Sequence, residues 1–459
     1  MSSMDSLLQR INSISPVRIH GHVRSIVGIS MLAEGLDRAA GIGGHCRVFG
    51  RFGPVMAEIV GIQSDGLVLL PFGSWDGVAA GDRVELVSDA PLVTPDDSWI
   101  GAVVDALGVP ISKTARATSS RRGRRPKDGA PSPFDRRRVG DKMSTGVKSL
   151  DVFVPLCRGQ RLGIFSGSGV GKSTLMAMLA RNAQADVIVV GLVGERGREL
   201  NDFIEEGLGP EGMARTVVVA ATGDEAPLMR RQAAWTAMTV AEHFRAQGKH
   251  VLLLLDSVTR FAMAQREIGL SSGEPPTAKG YPPTVFSELP KLLERAGPGK
   301  RDEGDITAVF TVLVEGDDMN EPIADAIRGI VDGHLVMSRR IAEQGRFPAV
   351  DIQRSISRML PECHTEEEAR IMTASRQLLA RYTDMEDLIR VGAYRAGTDA
   401  QVDAAIRFFD RANTFLSQRK SEVVTPQDSF TELYRILLEA GGVDPLADLL
   451  GEMPNAPAA

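Results

Sequence analysis

Arg161-Leu-Gly-Ile-Phe165, then Ser166-Gly167-Ser168-Gly169-Val170-Gly171-Lys172-Ser173-Thr174, then the helical run Leu175 to Ala183, form the stretch from which the rest of the chain is read. An apolar strand runs into a glycine-rich loop that closes on Lys-Ser-Thr and opens a helix, which is the order a phosphate-binding loop requires. Glycines 167, 169 and 171 let the backbone turn its N–H groups inward onto phosphate oxygens, and the helix N-terminus adds a favourable dipole. Lys172 is placed to reach the β- and γ-phosphates, and the Ser173 hydroxyl to coordinate magnesium, a hard cation that prefers oxygen. The strict pattern has Gly where this chain has Ser166, a departure at the position with the least chemistry.

The second half of such a site is a buried strand ending in a carboxylate, and Val251 to Leu255 followed by Asp256 supplies it. Between the two, Gly194-Glu195-Arg196-Gly-Arg-Glu199 follows the apolar run Val187 to Leu192. Glu195 and Arg196 are therefore expected on the same sheet edge, the carboxylate to orient a water and the arginine to meet a γ-phosphate. With Thr216 to Ala220 and Ile306 to Leu313, these strands alternate with helical stretches, and their unbroken apolar character predicts a parallel α/β sheet covered on both faces.

On the N-terminal side, Leu7, Leu8, Ile11 and Ile14 lie at helical spacing within Asp5 to Ile14. From Val17 to Val87, short apolar runs (Val23 to Ile29, Val55 to Ile62, Leu67 to Leu70) punctuated by glycine predict a small antiparallel barrel or sandwich. Between Ser112 and Arg138 the periodicity vanishes and Ser, Pro, Gly and Arg dominate, which predicts a linker or exposed loop. Its basic runs, Arg121 to Lys127 and Arg136 to Arg138, are expected to be solvated or paired with acidic neighbours. Beyond Pro361, Thr365 and Glu368 form a capping box, and the pattern to Gly441 is helical. The expected units are thus 1–16, a short helix that either packs locally as a frayed terminus or docks a partner; 17–95, a barrel or sandwich; 96–140, a linker; 141–360, a P-loop α/β domain; and 361–459, a helical domain ending in a Pro/Ala-rich tail.

Composition narrows the function classes. The 459 residues are 43% hydrophobic and 24% charged, enough for several packed domains. A formal net charge of -6 and 5% aromatic residues argue against nucleic acid as the main partner, because backbone neutralisation needs a basic surface and base stacking needs aromatic rings. Cys46, Cys157 and Cys363 lie far apart with no Cys-x-x-Cys pair, so neither a zinc cage nor a disulfide framework is expected, and a reducing cytoplasm fits. No stretch approaches the ~20 apolar residues that span a bilayer, and the N-terminus lacks a signal-peptide pattern.

Taken in order, Gly167 to Thr174, Gly194 to Glu199, Asp256-Ser-Val-Thr-Arg260 and Pro348-Ala-Val-Asp-Ile-Gln-Arg-Ser-Ile-Ser357 resemble the nucleotide-binding subunits of rotary ATP synthases, the last being similar to that family's signature decapeptide. Arg260 to Gly269 and Gly273 to Phe286 resemble, within it, the flagellar and type III secretion export ATPases. The resemblance covers nearly the whole chain. It implies an N-terminal β-barrel, a central RecA-like motor and a helical C-terminal domain, with ATP and Mg2+ as ligands. It implies that Lys172 and Ser173 hold phosphate and magnesium, that Asp256 supports the metal through water, and that Glu195 is the catalytic carboxylate. It places Arg196 and Arg260 near the γ-phosphate and makes Arg358 an arginine finger for a neighbour's site. Phe415 is its candidate for the adenine pocket.

One chain carrying both the carboxylate and the finger implies a head-to-tail homohexamer. The resemblance further implies a cytoplasmic motor at the inner membrane face of the flagellar export apparatus, with peripheral membrane contact. Its implied partners are a stator-like regulator on the N-terminal helix, a central coiled-coil stalk, the export gate and chaperone–substrate complexes. Phe134-Asp-Arg-Arg-Arg-Val139 and Leu156-Cys-Arg-Gly-Gln-Arg161 favour the flagellar form over the virulence injectisome. A RecA-like nucleic-acid translocase and an inactive ATP-binding scaffold are the alternatives from other classes; Glu195 together with Arg358 argues against the scaffold.

Overall fold

Along Ser30–Glu34 the side chains alternate, Met31 and Ala33 inward and Glu34 outward, and the strands around it repeat this half-buried pattern. Six strands among the described residues close into an antiparallel barrel, with His20–Val27 joined both to Ser30–Glu34 and to Arg83–Ser88. The apolar pattern alone left barrel and sandwich open; the closing pair bears out the barrel that the resemblance implies. Val23, Cys46, Val48, Ile59 and Leu69 fill it. Gly66–Pro71 is buried along its whole length because Leu70, on the outer side, packs on Leu228 and Ile268 of the following unit. The computed structural model describes residues 18–36, 39–88, 91–111, 123–441 and 444–447, so the Leu7, Leu8, Ile11 and Ile14 face, Arg121, Arg122 and the end of the Pro/Ala-rich tail lie outside the described residues.

A buried ion pair adds to the apolar seam between barrel and central unit. The Glu58 carboxylate, on the barrel strand Gly53–Gln63, accepts from the Arg231 guanidinium, and Lys127 Nζ lies 3.3 Å away on its other oxygen. Burial pushes the Glu58 carboxyl up, but Arg231, Lys127 and His45 outweigh it and hold it below the usual carboxylate range.

The segment 96–140, expected as a linker, is more structured than its composition suggests. Val103–Asp105 is a strand of the central sheet, parallel to Thr216–Thr222. Arg124 exchanges backbone hydrogen bonds with Val93. Arg136 donates to the carbonyls of Ala296 and Glu294, and Arg137 donates to Glu303 O and, at 2.7 Å, to Asp305 Oδ1. The Arg137–Asp305 pair is the acidic partner the sequence allowed for, while the helix-end carbonyls held by Arg136 are a tertiary use that local composition cannot reveal.

Nine strands among the described residues build the central sheet. Its main path runs Val350–Ser357, Gly333–Met337, Arg161–Ser166, Asp305–Leu313, His250–Asp256, Val187–Glu195, Thr216–Thr222 and Val103–Asp105. All neighbours on that path are parallel except the first pair. Ile188, Val190, Leu252 and Leu254 face one apolar core and Val189, Leu253 and Leu255 the other, which is why these strands read as continuous apolar runs. The register pairs Ser166 with Leu313 and Leu192 with Asp256, so the C-terminal ends of the central strands finish level on one edge.

Three helices, Glu366–Arg390, Ala400–Leu416 and Pro426–Glu439, follow. The capping box holds: Thr365 Oγ1 accepts from Glu368 N and the Glu368 carboxylate accepts from Thr365 N. Phe408, Phe415 and Leu433 from these helices enter the same core as Leu175 and Val190, so the helical unit is packed directly on the loop-bearing side of the sheet.

Candidate active site

Gly169 (φ 77°) and Gly171 (φ 92°) both take the left-handed conformation that only glycine adopts freely, and this turns the loop back over the N-terminus of helix Lys172–Asn182. The cleft this creates has a volume of about 420 Å³, within the range of small-ligand sites. Gly167, Ser168, Gly169, Gly171, Lys172, Ser173 and Thr174 line it from the loop. Val170 instead turns into the core, 1% exposed, and can offer only backbone. Glu195, Arg196, Glu199, Ser257, Arg260 and Leu313 complete the wall, so four segments far apart in sequence meet where the sheet strands end.

The charges are closely coupled. Lys172 Nζ donates to Asp256 Oδ1 and lies 3.8 Å from Glu195 Oε1. Asp256 also accepts from Thr311 Oγ1 at 2.7 Å. Arg260 Nε stands 3.3 Å from Glu195 Oε1, while its NH1 donates to Gly194 O at 2.6 Å. Ser257 caps the helix Val258–Ser271 by accepting from Arg260 N, which fixes the arginine's base. Burial raises the Glu195 carboxyl to about 7; Asp256 adds to the rise, and Lys172 and Arg260 oppose it. A buried carboxyl poised near neutrality, beside a lysine and a phosphate loop, can accept a proton from water at physiological pH.

The donor set fits magnesium of the kind that travels with a nucleotide. Among the described residues no group of three or more His, Cys, Asp and Glu side chains forms a cage. A magnesium ion prefers few protein ligands with phosphate and water completing its shell, and the exposed Ser173 hydroxyl with Asp256 behind it suits that demand.

Two expected residues lie elsewhere. Phe415 is buried, 2% exposed, beneath Lys148 Nζ at 5.0 Å from the ring centre, and cannot face a ligand in the cleft. Its place at the end of an amphipathic helix sends it to the core. Arg358 is exposed just past the strand Val350–Ser357, held by its N–H on Asp332 O at 2.9 Å, and is not part of its own chain's cleft. The sequence reading also missed residues. Phe347, 46% exposed, sits beside the loop, its ring 3.6 Å from where a Gly171 side chain would begin. A second cavity of about 250 Å³ shares Ser173, Thr174 and Glu199 with the first and extends to Phe203 and Lys420. The position of Phe347 directly before Pro348 of the decapeptide was the available signal.

Residues 146–357 match the model of the ATP synthase alpha/beta family, nucleotide-binding domain, and residues 364–435 that of the T3SS EscN ATPase C-terminal domain. A flagellum-specific ATP synthase of Caulobacter vibrioides is 51% identical over 442 residues, 95% of this chain and 99% of its own. The chain belongs to the family of flagellum-specific ATP synthases. Family membership extends to the fold. The assembled ATPase EscN of the enteropathogenic E. coli type III secretion system, 39% identical, superposes with a TM-score of 0.86 over 91% of this chain and all of that one. EscN in complex with its central stalk EscO gives 0.83 at the same identity and coverage. Among the described residues no helix is long and apolar enough to cross a membrane.

Proposed function

We propose that the chain is the ATPase of a flagellar protein-export apparatus, hydrolysing ATP in sites shared between subunits of a homohexameric ring. The observation that carries the reading is the convergence of Lys172, Glu195, Asp256 and Arg260 on the phosphate loop at one sheet edge. The higher identity to a flagellar relative than to EscN supports the flagellar form over the injectisome. EscN is an assembled ATPase and has a central stalk, EscO; by likeness, a ring of this chain engages a coiled-coil stalk. Export gate, chaperone–substrate complexes, a stator-like regulator and peripheral attachment to the inner membrane complete the proposed setting.

Loop N–H groups and Lys172 hold the triphosphate, and Glu195 takes the proton of a water aligned with the γ-phosphorus. Ser173 and, through water, Asp256 would hold a magnesium ion, which would supply neutralisation of the negative charge that builds up on the phosphates. Lys172 cannot serve the phosphates and the two carboxylates equally. As it turns to the nucleotide, Glu195 loses a cation that holds its basicity down, so substrate arrival strengthens the base. Arg260, tied to Gly194 O, keeps Glu195 oriented, Arg196 approaches the γ-phosphate from the exposed rim, and Arg358 serves the next subunit's site. Phe347, rather than Phe415, faces the adenine.

ATP hydrolysis measured against protein concentration tests this reading. Specific activity should rise with concentration and ignore added RNA. Activity independent of concentration would remove the shared site, and stimulation by RNA would favour a translocase.

A further inference from the structure

The segment Leu156-Cys157-Arg158-Gly-Gln-Arg161 contains a cysteine that the nucleotide chemistry does not use. Leu156–Cys157 pairs antiparallel with Lys142–Met143, setting Cys157 opposite Lys142. The Lys142 ammonium reaches across to the helical unit, 2.6 Å from Glu368 Oε2 and 3.3 Å from His364 Nδ1. His364 Nε2 is 2.9 Å from Val152 O, so the turn that carries Cys363 is pinned onto the central unit. Cys363, the residue before His364, thereby comes to the same seam as Cys157, near enough for each thiol to affect the other's ionisation. The two are 206 positions apart in sequence, and each belongs to a different unit. Cys157 is 1% exposed, whereas Cys363 is half-buried and reachable from solvent.

We infer that Cys157 and Cys363 form a peroxide-reactive dithiol whose disulfide locks the first turn of the helical unit to the nucleotide unit. The neighbouring Cys157 thiol lowers the Cys363 thiol to about 7 against the effect of burial, and His364 and Lys142 lower it further; the neighbouring Cys363 and burial push Cys157 up. Cys363 is therefore the attacking thiolate and Cys157 the resolving thiol. The Cys363 sulfur attacks one peroxide oxygen, the O–O bond breaks, and hydroxide leaves with a proton as water, giving a sulfenic acid. The Cys157 sulfur then attacks that sulfur, and its proton departs with the hydroxyl as a second water. Both sulfurs are oxidised and one hydrogen peroxide is reduced to two waters. Disulfides that form in cytosolic proteins are commonly transient and redox-sensing rather than structural.

Cys363 lies five residues after Arg358 and three before the start of the helix Glu366–Arg390. A covalent tie there restrains the segment that presents Arg358 and the swing of the helical unit, whose backbone also meets the loop side through Gln418 N on Phe347 O at 2.8 Å. The effect on turnover rests on the proposed ring ATPase; the disulfide itself does not.

The test treats the full-length chain with limiting hydrogen peroxide. It counts free thiols after denaturation, maps cross-linked peptides by mass spectrometry, and measures ATP hydrolysis before and after dithiothreitol. Two of the three thiols should disappear into a Cys157–Cys363 link, with most hydrolysis lost and then recovered on reduction. Cys363→Ser should keep its activity through peroxide, as should Cys157→Ala, while Cys46→Ala should behave as wild type. Three surviving thiols, or Cys363 passing to sulfinic acid with Cys157 still reduced, would overturn the dithiol. A disulfide that leaves hydrolysis unchanged would overturn the lock. A chain inactive even when reduced would count against the ATPase reading and leave the thiol result standing.

Discussion

Arg260 Nε stands 3.3 Å from Glu195 Oε1 while the same guanidinium donates to Gly194 O, so the arginine holds both the carboxylate and the backbone that carries it. A catalytic carboxylate needs this fixing because a small misplacement costs rate steeply. Even so, burial dominates its titration and leaves it near neutrality.

The pH profile follows from that balance. Glu195 must be ionised to accept a proton, and its carboxyl is raised to about 7, so kcat/KM should climb as pH rises toward 7 and level above it. Glu195→Gln should cost about 10²- to 10⁴-fold in hydrolysis, keep ATP binding, and lose the acid limb. Steady-state phosphate release from pH 5.5 to 8.5, compared between the two chains, decides it; an unchanged acid limb in Glu195→Gln would assign the titration to another group.

The two phenylalanines separate by measurement as they do in the fold. Phe347→Ala removes an exposed ring beside the loop, and if that ring stacks on adenine the loss is ~1–3 kcal/mol, an affinity about 5- to 150-fold weaker. Phe415→Ala removes a core ring and should cost stability on the order of 3–5 kcal/mol with little direct effect on ATP affinity of the folded fraction. Nucleotide titrations paired with thermal melts give the comparison; equal ATP affinity in Phe347→Ala and wild type would refute the adenine assignment.

Arg231→Ala should expose the worth of the barrel's ionic anchor. It leaves Glu58 buried with the half-exposed Lys127 as its remaining ion-pair partner, a loss of roughly 3–5 kcal/mol. In the wild type the Glu58 carboxyl is depressed, so its stabilisation is complete above its unfolded value of 4.5 and fades as pH falls through the lower folded value. Without Arg231, burial acts with little opposition, the folded value rises, and the penalty is felt only where Glu58 is ionised. The melting-temperature gap between variant and wild type should therefore narrow as pH drops from 7 toward 4.5. A gap that stays constant would mean that lost packing, not charge, is the cost.

What the sequence made legible was what it writes locally. The loop at Lys172, the strand ending at Asp256 and the capping box at Thr365 are each specified by residues within a few positions of one another, and each forms where expected. Phe415 ends an amphipathic helix and is drawn into the core, whereas Phe347 stands on a loop beside the cleft, a difference of tertiary packing that residue type alone does not carry. The basic run is expected to be solvated or paired with acidic neighbours, and Arg137 does pair with Asp305; which acceptors Arg136 and Arg137 take was not legible, because they lie ~160 positions away, at Glu294 to Asp305. The Cys157–Cys363 contact was invisible for the same reason.

The shared-site claim makes a prediction that neither single variant can satisfy alone. Arg358 is exposed and absent from its own cleft, while Glu195 lines it; on that claim, an active site takes Glu195 from one subunit and Arg358 from the next. Arg358→Ala should retain ATP binding and lose about 10³-fold or more in turnover, within the range of arginine fingers. Glu195→Gln should be similarly inactive by itself. Mixed and reassembled, the two create interfaces in which the Arg358→Ala subunit supplies Glu195 and the Glu195→Gln subunit supplies Arg358, and at those interfaces the site is whole. Hydrolysis in the mixture should exceed that of either variant alone at the same total concentration and peak near equal proportions. A mixture no more active than the average of its components would place Arg358 outside the chemistry and return the site to a single chain.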